Sequence, residues 1–214
     1  METIHPFNIA THVIAGSLAL LTGIGALAVP KGSIQHIRLG RYFIWFVAVV
    51  ITTGLLGVFV FKRNNFLLVI TLLSGYNCFS GIRAIRQRGR KPDIPDSLAS
   101  AVVILSAVYY LYYLHASGLY WSPVITYSTI GALLLVTAYD LLKWILPASI
   151  RKKAGIYEHV YKMISALSGL TAAFSGTVLP QYKPYSQLLP VVIGFSYIII
   201  IFITIGRYAP SKTN

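Results

Sequence analysis

Long apolar stretches alternate with short polar ones along the whole chain. The apolar stretches cover residues 8–29, 40–61, 66–85, 97–116, 124–146, 157–179 and 188–206. Each is close to the length that an α-helix needs to cross a hydrocarbon layer of roughly 30 Å. The polar stretches between them contain the helix-breaking residues proline, glycine and asparagine. The pattern predicts an all-α fold, a polytopic bundle of seven transmembrane helices that forms a single integral membrane domain over residues 1–214.

Positive charge is distributed unevenly between the two sides of this predicted membrane domain. If the N-terminus lies outside, fourteen of the 18 lysine and arginine residues fall in cytoplasmic loops or at cytoplasmic ends of spans. Lys62, Arg63 and Lys183 then lie outside, and Lys162 lies within the sixth span. Cytoplasmic loops of membrane proteins carry an excess of cations. The bias therefore predicts an external N-terminus, a cytoplasmic C-terminus and a location in the inner (plasma) membrane of the cell.

Composition supports a membrane protein and excludes some other classes. The chain is 56% hydrophobic and 11% charged, whereas a soluble domain has about 25% charged residues. A net charge of +13 could indicate nucleic-acid binding, but the cations lie between apolar stretches. We therefore predict anionic lipid headgroups on the cytoplasmic side as the partner and no nucleic acid, and leave open a membrane-protein partner or a second copy. The single cysteine, Cys78, excludes an internal disulfide, and no metal site is predicted.

Small residues recur at every fourth position in two of the predicted spans. Ala15, Ala19 and Gly23 do so in the first span, and Ser165 and Gly169 begin such a series in the sixth. Ridges of small residues let helix backbones approach closely within a membrane. We therefore predict that the first and sixth helices are central in the bundle. The isoleucine run at 198–201 predicts that the seventh helix faces lipid.

Polar side chains within the apolar stretches are candidate functional residues, because they are costly in hydrocarbon. The candidate cofactor ligands are His12, His36, His115 and His159. The candidate polar cluster at the cytoplasmic side comprises Arg38, Arg41, Asp140, Glu158, Lys162 and Met163. His36, Arg38 and Arg41 are expected in a loop. Phosphate-binding loops, nucleophile elbows and His-Glu-x-x-His pairs are absent from the sequence, so no catalytic residue is predicted.

The histidines allow two interpretations. His12 and His159 lie beside small residues of the first and sixth spans, so both are expected to point into the bundle. Each can serve as a hydrogen-bonding contact between helices. Alternatively, two neutral imidazoles from different helices can ligate a b-type heme, the one cofactor that the sequence brings into consideration.

Asp140 also allows two interpretations. It is the only acid well inside a predicted span, and an intramembrane charge normally pairs with another. Pairing with Arg41, Lys143 or Lys162 would be structural, and the sequence proximity of the two lysines favours it. A functional Asp140 would relay a proton or cation, with His159 as its pH-sensitive partner.

Two blocks of sequence carry a family resemblance. The first has His12 in an Ala/Gly-rich span followed by His36-Ile37-Arg38-Leu39-Gly40-Arg41, and the second runs from Glu158 to Met163. With these blocks the chain resembles a family of small bacterial multi-pass membrane proteins known only as a domain of unknown function. The resemblance implies seven helices and no particular reaction. The signature positions that it implies are His12, His36, Arg38, Gly40, Arg41, His159 and Met163.

The leading functional hypothesis is a membrane protein with a polar, histidine-containing interior site, of redox or heme-binding type if it holds a cofactor. A proton-coupled carrier that uses Asp140, His159 and Lys162 is the first alternative. A non-catalytic assembly or lipid-contacting protein is the second. An optical spectrum and an uptake assay distinguish the three.

Overall fold

The computed structural model describes residues 4–61, 66–117 and 123–208. These residues form seven α-helices and one short 3-10 helix at Pro180–Tyr182, and none of them is in a strand. The α-helices are α1 (Ile4–Ala28), α2 (Ile34–Phe59), α3 (Phe66–Gln87), α4 (Ile94–Ser117), α5 (Pro123–Leu142), α6 (Ala148–Val178) and α7 (Tyr185–Tyr208). The predicted all-α fold is thereby confirmed.

Five of these helices are long and apolar enough to cross a membrane, namely α1, α2, α4, α5 and α7. Their large apolar side chains, among them Leu21, Trp45, Leu105 and Ile199, are largely exposed on the outside of the bundle. Contiguous apolar surface of this kind is unfavourable in water and matches hydrocarbon. The described helices thus fit a membrane protein.

The other two helices, α3 and α6, occupy the centre of the bundle. Helix α3 packs against α2, α4, α5 and α6, and α6 packs against α1, α3 and α7. Both carry buried polar side chains, such as Ser80 on α3 and Lys162 on α6. Because protein rather than lipid surrounds them, their polar groups can find partners in neighbouring helices. The central position therefore explains why these two helices are less apolar than the rest.

The small-residue ridges mark close helix contacts, as expected. Ala15, Ala19 and Gly23 are buried on α1, and a Cβ atom at Gly23 would lie 2.7 Å from Leu167 of α6. The prediction of a central position is correct for α6 and wrong for α1, which packs only against α2 and α6 among the larger described contacts. A ridge of small residues reports how closely two helices approach, and it carries no information on how many neighbours surround them.

The seventh helix packs tightly on α6 and is exposed on its other face. A Cβ atom at Gly194 would overlap the Ser168 hydroxyl oxygen. Within the isoleucine run, Ile199 and Ile200 are exposed whereas Ile198 is buried. The outward face of α7 fits the predicted contact with lipid, and one isoleucine of the run turns inward.

Several helix boundaries differ from the prediction, and three of them change where candidate residues lie. Helix α2 begins at Ile34, because the Ser33 hydroxyl caps it by accepting a hydrogen bond from His36 N at 3.1 Å. His36, Arg38 and Arg41 therefore lie in the first turns of a helix, and their assignment to a loop was wrong. Helix α5 ends at Leu142 and α6 begins at Ala148, so the polar segment at the start of α6 is helical as well.

Successive helices run in opposite directions, so the ends of odd-numbered helices meet the starts of even-numbered ones. His36 at the start of α2 contacts the Ala26 carbonyl near the end of α1, and Arg151 at the start of α6 donates to the Gly89 carbonyl beyond α3. We call this the cation-rich end. Its described cations are Lys31, Arg38, Arg41, Arg83, Arg86, Arg88, Arg90, Lys91, Lys143, Arg151, Lys152, Lys153 and Arg207. Lys62, Arg63 and Lys212 lie outside the described residues.

Candidate functional site

Four ionisable side chains meet between α5 and α6 near the cation-rich end. Asp140 and Lys143 are separated by three positions on α5 and its C-terminal extension, and Glu158 and Lys162 by four positions on α6. These spacings place each pair on one face of its helix. All four side chains are buried, and Lys162 retains only 1% exposure. We call them the buried ionic cluster.

The charges alternate around this cluster. Lys162 Nζ lies 2.6 Å from Asp140 Oδ1 and 3.5 Å from Glu158 Oε2. Lys143 Nζ lies 2.8 Å from the same oxygen of Asp140 and 2.8 Å from the same oxygen of Glu158. Each lysine therefore contacts both acids, and the formal charges sum to zero. Each lysine also lies 5.9 Å from the centre of the Tyr139 ring, within the range of a cation–π interaction.

Hydroxyl groups satisfy the remaining oxygens of the two acids. Tyr76 and Ser80, both on α3, donate to Asp140 Oδ2 at 2.7 and 2.6 Å. Tyr139 on α5 donates to Glu158 Oε1 at 3.0 Å. Lys162 Nζ also donates to the Ser80 hydroxyl at 2.6 Å. Asp140 thus accepts three hydrogen bonds and forms an ion pair with Lys143, and such satisfaction is what allows a charge to remain buried.

The cluster also connects two parts of the bundle. Helices α4 and α5 pack against each other and against α3. Among the described residues, α5 reaches α6 mainly through the charged side chains, because close backbone contacts between these two helices are few or absent. A change in the charge of Asp140 would therefore alter the attachment of α5 to α6.

The structure brings together three of the polar residues predicted from sequence, Asp140, Glu158 and Lys162. Arg38 and Arg41 are exposed on α2 and take no part in the cluster. Met163 is half-buried on α6, and its sulfur would lie 3.2 Å from a Cβ atom at Gly81 of α3.

Sequence reasoning missed Tyr76, Ser80 and Tyr139. Tyrosine and serine are ordinary residues in membrane helices, so nothing distinguishes these three by type. The available signal was spacing combined with hydropathy: Tyr76 and Ser80 are four positions apart in the less apolar helix α3, so they share one face.

His12 and His159 lie at different depths in the bundle. A Cβ atom at Gly54 would lie 3.8 Å from His12 Cε1 and 3.2 Å from Thr71 Oγ1, so His12 is level with Thr71 of α3. His159 Nδ1 lies 3.0 Å from the carbonyl oxygen of Gly81. Thr71 and Gly81 are about 15 Å apart along α3, at 1.5 Å per residue. Because both axial nitrogens of a heme bind one iron atom, His12 and His159 do not form a ligand pair.

The bonds of His12 fit the structural interpretation. Its Nδ1 lies 2.8 Å from the hydroxyl oxygen of Thr53 on α2, and nearby Asn8 donates to the Thr53 carbonyl at 3.1 Å. His115, in the last turn of α4, is exposed. Both histidines lie at the end of the bundle opposite the cation-rich end.

His36 and His159 are the pair that lies at one depth. Gly23, Phe43 and Leu167 meet where α1, α2 and α6 converge. Counted from that contact toward the cation-rich end, His36 and His159 are both about 10–12 Å away along their helices. His36 Nδ1 lies 2.9 Å from the carbonyl oxygen of Ala26, and His159 has the equivalent bond to Gly81. Since a carbonyl only accepts, each Nδ1 carries the hydrogen and each Nε2 is unprotonated in the neutral ring.

Comparison with known protein families, with characterised proteins and with solved structures finds no match to this chain. Within the described ranges, no three His, Cys, Asp or Glu side chains lie close enough together to hold a metal ion. The site must therefore be interpreted from its own geometry.

Proposed function

We propose that this chain is a proton-coupled membrane carrier in which Asp140 binds the proton. In this proposal all seven helices cross the plasma membrane, the N-terminus is outside, and the cation-rich end faces the cytoplasm. The observation that carries the proposal is the buried ionic cluster, whose lysines each contact both acids.

Energetics favours a functional reason for the cluster over a structural one. Removing charged groups from water costs several kcal/mol per ion, and apolar residues of similar volume often stabilise a protein as well or better. Ionisable residues within membrane helices commonly mark ion and proton pathways. Four such residues, two of them on α6, are more than the α5–α6 contact needs for stability.

Protonation of Asp140 changes which contacts the two lysines make. A neutral Asp140 no longer attracts Lys162. Lys162 then keeps Glu158, 3.5 Å away, as its remaining acidic partner. Lys143 also keeps Glu158 as a partner, at 2.8 Å. Both lysines then pair with Glu158 alone. The attachment of α5 to α6 and α3 therefore weakens. Two arrangements that differ in one proton are the two-state element that a coupled carrier requires.

Charge displacement in proteoliposomes on a solid-supported membrane tests this proposal. A rapid pH jump alone should produce a transient current, because a proton binds within the membrane. A transported solute should prolong the current, and solute classes such as amino acids, sugars and organic acids can be tested in turn. We expect Asp140→Asn to abolish both signals.

Thr137→Val is the matched control, since Thr137 is buried one turn from Asp140 and its hydroxyl donates to the Leu133 carbonyl of its own helix at 2.8 Å. This variant should keep both currents. Absence of a pH-jump current in the unaltered protein, or an equal current in Asp140→Asn, would rule out the proposal.

A second candidate function is heme-based electron transfer, which the geometry of His36 and His159 favours. Both rings present an unprotonated Nε2 at one depth, and a backbone carbonyl orients each ring, as is usual for ligating histidines. Purified protein reconstituted with heme b should show a Soret band that His36→Ala and His159→Ala both remove. His12→Ala should leave it unchanged, because His12 lies at the other end of the bundle. No heme spectrum, or a spectrum indifferent to the first two variants, contradicts this function.

The exposed cations of the cation-rich end support anionic lipid as a partner. Exposed cations lie on the α3–α4 connection and on the first turns of α6, among them Arg86, Arg88, Lys152 and Lys153. Each exposed cation near an anionic leaflet contributes about 1 kcal/mol of attraction. If neither current nor heme is found and another membrane protein co-purifies, the assembly function would be supported instead.

A further inference from the structure

A second group of charged side chains lies closer to the surface of the cation-rich end. Arg83 near the end of α3 contacts Asp93 at 2.5 Å and pairs with Asp96 in the first turn of α4. Gln87 donates to Asp96 Oδ2 at 2.5 Å, and the Asp93 backbone N–H donates to the same oxygen at 2.9 Å. We call these residues the rim cluster. It holds the end of α3 against the start of α4.

A pocket connects the rim cluster with the buried ionic cluster. Its lining residues are Tyr76, Phe79, Ser80, Asp96, Asp140 and Lys143. Asp96 and Asp140 therefore line the same space, which has room for about one water molecule. Five of its six lining residues carry a polar group that can bind water.

The aspartates become less exposed from the rim cluster to the buried ionic cluster. The side chain of Asp93 is 55% exposed, that of Asp96 is 17% exposed and that of Asp140 is 5% exposed. Asp93 and Asp96 share Arg83 as their partner, and Asp96 and Asp140 share the pocket. Burial of the aspartates thus increases from the aqueous surface into the bundle.

The wall of the pocket is held in place by hydroxyl groups. Tyr76 OH lies 2.9 Å from the Ser100 hydroxyl oxygen and donates to Asp140 at 2.7 Å. The Ser100 hydroxyl has one hydrogen, which it donates either to Tyr76 OH or to the Asp96 backbone carbonyl 3.0 Å away. These contacts fix the start of α4, and with it Asp96, relative to Asp140.

We propose that Asp96 transfers protons between the aqueous phase at the cation-rich end and Asp140, through the pocket that both residues line. This inference rests on the proposed function of Asp140 as the proton-binding group. The carrier then has a separate step in which protons reach Asp140 from one side of the membrane.

The step is balanced as two proton transfers. Hydronium gives a proton to the Asp96 carboxylate, which leaves water and a neutral Asp96 with a weaker hold on Arg83. Neutral Asp96 then donates its proton to the pocket water, while that water gives one of its own protons to the Asp140 carboxylate. Asp96 returns to its anionic form and pairs with Arg83 again, and Asp140 is neutral.

Charged groups from several elements face the two carboxylates. Asp96 faces Arg83 from α3, Asp93 from the α3–α4 connection, and Lys143 across the pocket. Asp140 faces Lys143 on its own side and Glu158 and Lys162 from α6. Asp96 is the more exposed of the two, so it meets the aqueous phase before Asp140 does.

The test measures the pH-jump current in proteoliposomes reconstituted in each orientation. We expect Asp96→Asn to slow the current by roughly tenfold or more when the jump is applied at the cation-rich end, since a positioned acid–base group contributes such factors. The total displaced charge should not change, and jumps at the opposite end should give the original rate. Asp96→Glu should retain a rate close to that of the unaltered protein.

Asp93→Asn is the matched control, because Asp93 also pairs with Arg83 but does not line the pocket. It should leave the rate nearly unchanged. If Asp96→Asn does not fold, Asp96→Ser keeps an acceptor for the Asp93 N–H and should show the same slowing.

An unchanged rate in the Asp96 variants, or equal slowing from both ends, would overturn the role of Asp96. In that case the current would still depend on Asp140. Failure of the proposed function itself is distinguishable, since it would leave no current that Asp140→Asn removes.

Discussion

Asp140→Asn should destabilise the protein by about 3–5 kcal/mol, the usual cost of leaving one partner of a buried pair alone. Asp140 accepts hydrogen bonds from Lys162, Tyr76 and Ser80 and forms an ion pair with Lys143. Asparagine keeps the size of the side chain but carries no charge. The cluster would then hold two lysines against Glu158 alone, with one uncompensated positive charge in the interior.

The double variant Asp140→Asn/Lys162→Met should recover part of this loss. It removes one charge of each sign, and the Lys143–Glu158 pair at 2.8 Å remains balanced. We expect a coupling energy of about 1–3 kcal/mol, typical for side chains in direct contact. Reversible unfolding in mixed micelles, followed by circular dichroism, measures the free energy of unfolding of the unaltered protein, of Asp140→Asn, of Lys162→Met and of the double variant.

Thr137→Val serves as the control and should cost about 1 kcal/mol or less. The reasoning would be refuted if Asp140→Asn lost no more stability than this control. It would also be refuted if the double variant were as unstable as the sum of its two single variants.

Three further predictions concern packing, topology and lipid. Gly194→Ala should destabilise the α6–α7 contact by about 1–3 kcal/mol, and adding Ser168→Gly to that variant should restore the contact. Thermal unfolding measures both effects, and no loss of stability in Gly194→Ala would contradict the packing. In a Cys78→Ala background, a cysteine at Lys183 should react with an impermeant maleimide from outside and a cysteine at Arg90 should not; the reverse pattern contradicts the proposed orientation. Binding to vesicles containing anionic lipid should exceed binding of the same detergent-solubilised protein to neutral vesicles, and should weaken with salt; equal binding to both contradicts the lipid contact.

The seven described α-helices could be predicted from sequence, whereas the central place of α3 could not. Lipid-facing helices must be apolar along their length, so α2 and α7 stand out in any hydropathy pattern. Helix α3 is surrounded by protein and is free to carry Tyr76 and Ser80. Its central place follows from tertiary packing, which periodicity along one chain does not encode.

The ionic part of the site was accessible from sequence, whereas its hydroxyl partners were not. Asp140, Glu158 and Lys162 are conspicuous because charges are rare in apolar stretches. The helical spacing of Glu158 and Lys162 already placed both on one face. The depth of a histidine was harder to predict, because it depends on how neighbouring helices are staggered, and this separates His159 from His12 and brings it level with His36.

Infrared difference spectroscopy of the protein in lipid, recorded as the pH is lowered, tests the central claim most directly. The account predicts the appearance of a carbonyl stretch from a neutral carboxyl group in the protein interior, its loss in Asp140→Asn and its persistence in Thr137→Val. The same band with full intensity in Asp140→Asn would show that the proton binds elsewhere and would contradict the account.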